Sequence, residues 1–156
     1  MTNMIHLLLL CTLLISFNSF ADEFSNAEDA YERGDYSTAI TIYKKLAEQD
    51  DAYVQAMAGA MCHHGEGTPQ DYKAAIKWYT QSAEQGNTEA QFNLGAMYHD
   101  GEGTPQDYVM AHMLLNIAAA NGDEKAKDNR DIVADMMTPN QIEKAQELAR
   151  EWMEKY

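Results

Sequence analysis

Basic side chains are scarce in this chain, and their scarcity excludes several classes of partner. The 156 residues include 11 lysines and arginines against 25 aspartates and glutamates, a formal net charge of −14. Residues 87–122 contain no lysine or arginine at all. Nucleic acids and anionic membrane surfaces are bound largely through basic side chains, so we expect neither as a partner. If electrostatics assists docking, the partner is a protein or peptide of basic character.

Apolar runs are also too short for a membrane-spanning helix, which needs about 20 residues. The longest run extends from Ile5 to Phe17 and is followed by Ser19-Phe20-Ala21. A short apolar run before small residues is typical of a secretory signal peptide. We therefore expect residues 1–21 to be a signal peptide cleaved between Ala21 and Asp22, with a periplasmic or secreted product and no membrane insertion after cleavage. No lysine or arginine precedes the run, so an uncleaved anchor is the alternative.

Cysteine is almost absent, which excludes a disulfide-stabilised fold. Cys11 lies in the predicted signal peptide, so only Cys62 remains afterwards and no intramolecular disulfide can form. The helical pattern around Cys62 places it at an interior position. We interpret it as a buried, unreactive thiol.

A repeat is the most informative feature present. The octapeptide from Gly65 to Tyr72 recurs letter for letter as Gly101 to Tyr108, 36 residues later. A fixed period of this length indicates a solenoid, whose units bury their apolar faces only by stacking on neighbours. The same offset divides residues 22–156, predicted to be one domain, into units of approximately 22–50, 51–86, 87–122 and 123–156.

Each unit is predicted to form two antiparallel helices. In residues 87–122, apolar residues recur with a helical period over roughly 87–100 and 107–121. Gly101 is placed to end the first helix in a left-handed turn, since it has no Cβ. Asp107 is placed to cap the second helix with its carboxylate.

The terminal units are partial copies of this plan. The first is predicted to contain helices of roughly 24–33 and 35–48 joined by a tight turn. The last helix is predicted to begin with Thr138 as its N-cap and Pro139 as its first residue.

Two units share a set of motifs: Leu94-Gly95, Tyr98, Gly101-Glu102-Gly103, Asp107, Ala111 and Ala118-Ala119 in one, and Gly59, Gly65-Glu66-Gly67, Asp71, Ala75, Trp78-Tyr79 and Ala83 in the other. This set resembles the Sel-one-like repeat family, a subclass of tetratricopeptide-type solenoids. The resemblance implies an all-α fold, a right-handed α/α solenoid of about four antiparallel helix hairpins. Leu114-Leu115 departs from the family, which has Trp-Tyr at this position.

The resemblance also implies a function: a non-catalytic adaptor, without cofactor or metal, that binds a protein or peptide in its concave groove. Bacterial members often act in the envelope or outside the cell. Folds of this type place the first helix of each unit on the concave side. The residues that this places on the groove are Phe92, Ala96, His99 and Asp100, with Ala56, Ala60, His63 and His64 as their equivalents one unit earlier and Asp128 and Asp135 one unit later.

Two alternatives stay open. Histidines and carboxylates at close spacing can ligate zinc, so the loops around His63-His64-Gly65-Glu66 and His99-Asp100-Gly101-Glu102 make an envelope hydrolase conceivable. Such an enzyme would be β-lactamase-like or cell-wall acting, although this chain lacks the cysteine pairs of the family members linked to β-lactams. The other alternative is a structural spacer subunit, and stacking of solenoid ends leaves a homo-oligomer open.

Overall fold

The computed structural model describes residues 19–156, and this part of the chain is an α/α solenoid without strands. Helix α1 covers residues 19–32. The helices that follow are α2 (Tyr36–Ala47), α3 (Ala52–His64), α4 (Tyr72–Glu84), α5 (Thr88–Asp100), α6 (Tyr108–Ala120), α7 (Glu124–Ala134) and α8 (Pro139–Lys155). From α2 to α7 each helix packs against the next, most extensively α3 against α4 and α5 against α6, whereas α8 packs against α6. The predicted all-α solenoid fold is confirmed.

The N-terminal helix is longer than the predicted range of 24–33. Phe20 and Phe24 stack with ring centroids 6.4 Å apart, and both pack against the core. Both rings are partly buried, and the helix includes residues 19–23, which precede the predicted start. Residues 1–18 of the predicted signal peptide lie outside the described residues, so cleavage after Ala21 stays a prediction. None of the helices in the described part has the length and hydrophobicity that crossing a bilayer requires.

Aspartate caps begin the second helix of each central unit, as predicted. Asp71 Oδ1 accepts a hydrogen bond from the Ala74 amide at 3.0 Å. Asp107 Oδ1 accepts from the amides of Val109 and Met110 at 2.9 and 3.0 Å. Each carboxylate satisfies amides that have no partner inside the helix, and its negative charge lies at the positive end of the helix dipole.

The other predicted helix ends are confirmed as well. Gly101 follows α5 in the left-handed conformation, with φ of 73°. Thr138 caps α8 and forms a reciprocal pair of hydrogen bonds with Gln141, with Pro139 at the first helical position. Because these helix-end signals depend only on local sequence, they can be predicted without knowledge of the fold.

The loop between the two helices of a unit packs on the preceding unit. A Cβ atom on Gly103 would lie 2.6 Å from the Tyr72 Cβ, at the start of the preceding second helix. A Cβ on Gly67 would overlap the carbonyl group of Tyr36 in the same way. Glycine at this position therefore allows each loop to dock directly on backbone.

Buried glutamines also join successive units. The Gln55 side chain donates to the Ala47 carbonyl at 3.2 Å and accepts from the Gln85 amide at 2.8 Å. Gln91 makes the equivalent pair of bonds one unit later. Because a buried amide is stable only when it is hydrogen-bonded, these contacts specify how adjacent units align.

The fourth unit departs from the repeat. Helices α7 and α8 both pack against α6, and Ala126 and Val133 are the buried residues of α7. Relative to the 36-residue offset, α7 also ends two residues earlier than α5 does. The packing of the last unit therefore differs from that of the two central units.

Candidate binding groove

A cavity opens between α5 and α7, the first helices of the third and fourth units. Its volume is about 240 Å³. It is lined by Ala96, His99 and Asp100 from α5, Leu115 from α6, and Asn129, Ile132 and Val133 from α7. Three of the six predicted partner-binding residues therefore lie together on one cavity.

The other three predicted residues lie elsewhere. Phe92 is half-buried and packs against the apolar cluster that includes Leu115 and Val133, so it supports the neighbourhood of the cavity without lining it. His64 is exposed at the end of α3, and its ring centroid lies 4.8 Å from that of His63.

His63 is engaged in a contact between units. Its Nε2 lies 2.6 Å from Glu102 Oε2, which belongs to the Gly-Glu-Gly loop of the following unit. The Tyr31 hydroxyl donates to Glu66 Oε2 at 3.2 Å, which is the same type of contact one unit earlier. Both loop glutamates thus bind the last turn of the preceding first helix, and we assign them a structural role.

His99 occupies the equivalent place in the next unit but has no such loop to bind. Residues 135–138, which join α7 to α8, contain no glutamate. His99 Nδ1 instead lies 2.8 Å from Oδ1 of its neighbour Asp100. An ionised carboxylate only accepts hydrogen bonds, so the proton of this contact is on Nδ1. In the neutral form of such a ring, Nε2 is an acceptor.

The side chains that line the cavity differ from their counterparts one repeat earlier. Leu115 takes the position of Tyr79 and Val133 that of Met97, both smaller, whereas Ile132 takes the position of Ala96 and is larger. Tyr79 and Leu115 are both buried, and each packs on a helix glycine: a Cβ on Gly59 would lie 2.8 Å from the Tyr79 ring, and one on Gly95 would lie 3.0 Å from Leu115 Cγ. The departure from the family motif at Leu115 thus lies in the lining of the cavity.

Sequence reasoning missed part of the lining. Ile132 follows Ala96 by one repeat and has 51 % of its surface exposed, an unusual fraction for a large apolar residue. The repeat offset alone could have identified it. Asn129 carries no comparable signal, because it matches Asn93 and looks like a solvated helix position.

The ionisable groups do not form a recognisable catalytic constellation in the described residues. Across 19–156, no group of three or more His, Cys, Asp or Glu side chains could hold a metal ion. Cys62 is buried, and desolvation raises the pKa of its thiol. Among the residues lining the cavity, His99 and Asp100 are the titratable ones, and neither has a nucleophilic side chain beside it. The arrangement can accept hydrogen bonds and hold apolar groups.

These features define an α/α repeat protein, in which loops and buried amides join the units and a cavity opens between the first helices of the third and fourth units. The model of the Sel1 repeat matches residues 27–51, 52–87, 88–123 and 138–155, more than half of the chain. The chain belongs to the Sel1 repeat family. Sel1 repeats generally mediate protein–protein interaction, and the fold is typically a non-catalytic scaffold. The fourth match covers α8 alone and leaves α7 unmatched, in agreement with the divergence of that unit.

The solved structures that are similar to this chain include two repeat proteins. One is c5321, a protective antigen present in uropathogenic Escherichia coli strains that displays an SLR fold, with 26% identity and a TM-score of 0.82. The match covers 88% of this chain and 30% of that chain. The other is a Sel1 repeat protein from Oxalobacter formigenes, with 28% identity and a TM-score of 0.57 over 58% of this chain and 26% of that one. By these figures, this chain spans less than a third of the length of either structure. No match was found among curated proteins.

Proposed function

We propose that this protein is a non-catalytic interaction module that binds a protein or peptide on the face formed by α3, α5 and α7. The observation that carries the proposal is the cavity between α5 and α7, where Ala96, His99 and Asp100 meet an exposed Ile132. An open site of mixed apolar and acidic character suits a polypeptide segment. The predicted signal peptide supports action in the bacterial envelope or outside the cell.

The binding face is tested with a variant that blocks the cavity. Ala96→Arg introduces a long, charged side chain into it, whereas Gln81→Arg introduces the same side chain on the exposed surface of α4. Partners are captured by chemical cross-linking in the expressing bacterium and identified by mass spectrometry. Each is then purified, and its affinity for both variants is measured by calorimetry.

The proposal predicts a purified partner that binds the unaltered protein and Gln81→Arg equally, and Ala96→Arg at least about tenfold more weakly. A partner that binds all three equally would place the interface on another surface. If no captured protein binds after purification, the interaction function is wrong and the spacer alternative gains support.

A further inference from the structure

We propose that the cavity between α5 and α7 is a pocket for one basic side chain, a lysine or arginine carried by the bound segment. This inference rests on the proposed function and specifies the chemistry of the partner. It depends on the shape of the cavity, the groups at its polar end and the charge around it.

The shape fits a long, unbranched side chain. Ala96, Leu115 and Val133 provide apolar walls, and Ile132 adds an apolar rim. The volume of about 240 Å³ is many times the ~10–15 Å³ that a cavity needs in order to hold one water molecule. The methylene groups of a lysine or arginine can lie along such walls while the charged end reaches a polar group.

The polar end of the cavity presents hydrogen-bond acceptors. Asp100 contacts His99 through Oδ1, so Oδ2 keeps its capacity to accept. In the neutral form of the ring with its proton on Nδ1, His99 offers Nε2 as a second acceptor. The Asn129 side chain adds an amide oxygen. An ammonium or guanidinium group, which only donates, is complementary to this set.

The surrounding charge favours a cation as well. The third unit, residues 87–122, has no lysine or arginine. The nearest cation along α7, Arg130, is already bound to Asp131 Oδ1 at 2.7 Å and to Asn116 Oδ1 at 3.3 Å. Asp128 is exposed on the same helix, and Asp135 is exposed at its C-terminal end. Helix α7 also carries Lys125 and Lys127, whereas the cavity is lined by Asn129, Ile132 and Val133 of this helix. The acid that a basic segment meets in the lining is therefore Asp100.

The equivalent location in the preceding unit is filled by different side chains. Tyr79 stands in the place of Leu115, and His63 is bound by Glu102. A second tyrosine at position 115 is therefore a natural way to close the pocket without altering its charge.

The test uses four blocked pentapeptides that differ only in the central residue, which is lysine, arginine, norleucine or glutamate, flanked by alanine and glycine. Each is titrated into the purified protein and followed by amide chemical shifts. We expect the lysine and arginine peptides to shift the amides of Ala96, Asp100 and Ile132. We expect the norleucine peptide to bind about tenfold more weakly, because it lacks the charge-assisted hydrogen bonds, and the glutamate peptide not to bind.

Two variants and a control locate the effect. Leu115→Tyr should abolish binding of the lysine peptide, whereas Asp100→Asn should weaken it about tenfold to the norleucine level. Glu32→Gln removes one exposed acid at the far end of the solenoid and should change nothing. Equal binding of the lysine and norleucine peptides, shifts at other residues, or unchanged binding in both pocket variants would each overturn the inference.

The inference and the proposed function can fail separately. If a purified partner loses affinity with Ala96→Arg but not with Asp100→Asn, the groove binds protein and the assignment of a basic side chain is wrong. If no partner exists but the lysine peptide binds in the cavity, the pocket has the proposed chemistry and the interaction function is wrong.

Discussion

The junction between α3 and α5 and the junction between α5 and α7 are built from equivalent positions and differ in what fills them. In the first, Tyr79 occupies the interior and Glu102 binds His63 at 2.6 Å. In the second, Leu115 lines a cavity, and the ring of His99 is hydrogen-bonded to its neighbour Asp100. The difference shows how a repeat protein can open a cavity between two units: the contact that joins a loop glutamate to the preceding helix is absent there.

The largest effect is expected from a substitution that prevents the loop between α5 and α6 from packing on the start of α4. Gly103→Ala adds a Cβ atom 2.6 Å from the Tyr72 Cβ at a φ of 73°, so the loop must move. We expect a loss of about 3 kcal/mol in the free energy of unfolding, measured with urea.

Gly122→Ala is the matched control for that substitution. Its φ is 98°, also positive, but a Cβ there would have no heavy atom within 4 Å. We expect it to lose about 1–2 kcal/mol, from the backbone conformation alone. Equal losses at both glycines would show that the loop does not depend on close packing against the preceding unit.

Exchanging the interior residues of the two junctions tests why only one is open. Tyr79→Leu should create a cavity in the closed junction and lower the free energy of unfolding by about 2–3 kcal/mol. Leu115→Tyr should change it by less than about 1.5 kcal/mol, because space for the ring already exists. The same urea titrations measure both, and a larger loss for Leu115→Tyr would contradict the account of the cavity.

Double-mutant cycles sharpen the comparison of the two histidines. The His63 and Glu102 side chains retain 22% and 31% of their exposure and join two units, so we expect a coupling energy of about 1 kcal/mol. His99 and the more exposed Asp100 are sequence neighbours, and we expect less than about 0.5 kcal/mol. One cycle combines His63→Asn with Glu102→Gln, and the other combines His99→Asn with Asp100→Asn. A larger coupling at the second pair would refute the structural distinction between them.

The smallest expected effect concerns pH and the buried His112 of α6, whose equivalent in α4 is Ile76. Burial, followed by the nearby Arg130, lowers the pKa of His112, and its Nδ1 is the buried side-chain nitrogen without a hydrogen-bond partner among residues 19–156. The folded state therefore keeps the ring neutral below the ordinary histidine pKa of about 6.5, where the unfolded chain binds a proton.

It follows that His112 favours unfolding as the pH falls below about 6.5, and that this contribution is absent at higher pH. His112→Ile should remove this part of the pH dependence. Thermal unfolding of both proteins between pH 5 and pH 8 measures it. The variant should lose less stability than the unaltered protein on acidification, and parallel curves would show that the ring is not kept neutral.

The local features of this fold were predictable from sequence. The repeat period, the aspartate caps at Asp71 and Asp107 and the turn at Gly101 depend on residues close together in the chain, so local chemistry was sufficient to identify them. The predicted groove residues Ala96, His99 and Asp100 lie on one cavity, although their role in binding is untested.

The remaining features depend on contacts between distant residues. The His63–Glu102 contact joins residues 39 apart and requires the loop to dock on the preceding unit. Predicting the cavity requires knowing that Leu115 and Val133 lie side by side. The sequence of α7 was too polar to predict how this helix packs. The sequence left open whether Phe92 lies on the groove or in the core, because its environment comes from α6 and α7.

The most direct test of the central claim places a photo-crosslinking amino acid at Ile132 and, separately, at Gln81 on the exposed surface of α4. Both proteins are irradiated in the expressing bacterium, with and without the Leu115→Tyr substitution. The account predicts a discrete protein adduct at Ile132 that disappears when Leu115→Tyr fills the cavity, and none at Gln81. An adduct that forms equally at both positions, or that survives Leu115→Tyr, would contradict the claim that the open junction is the binding site.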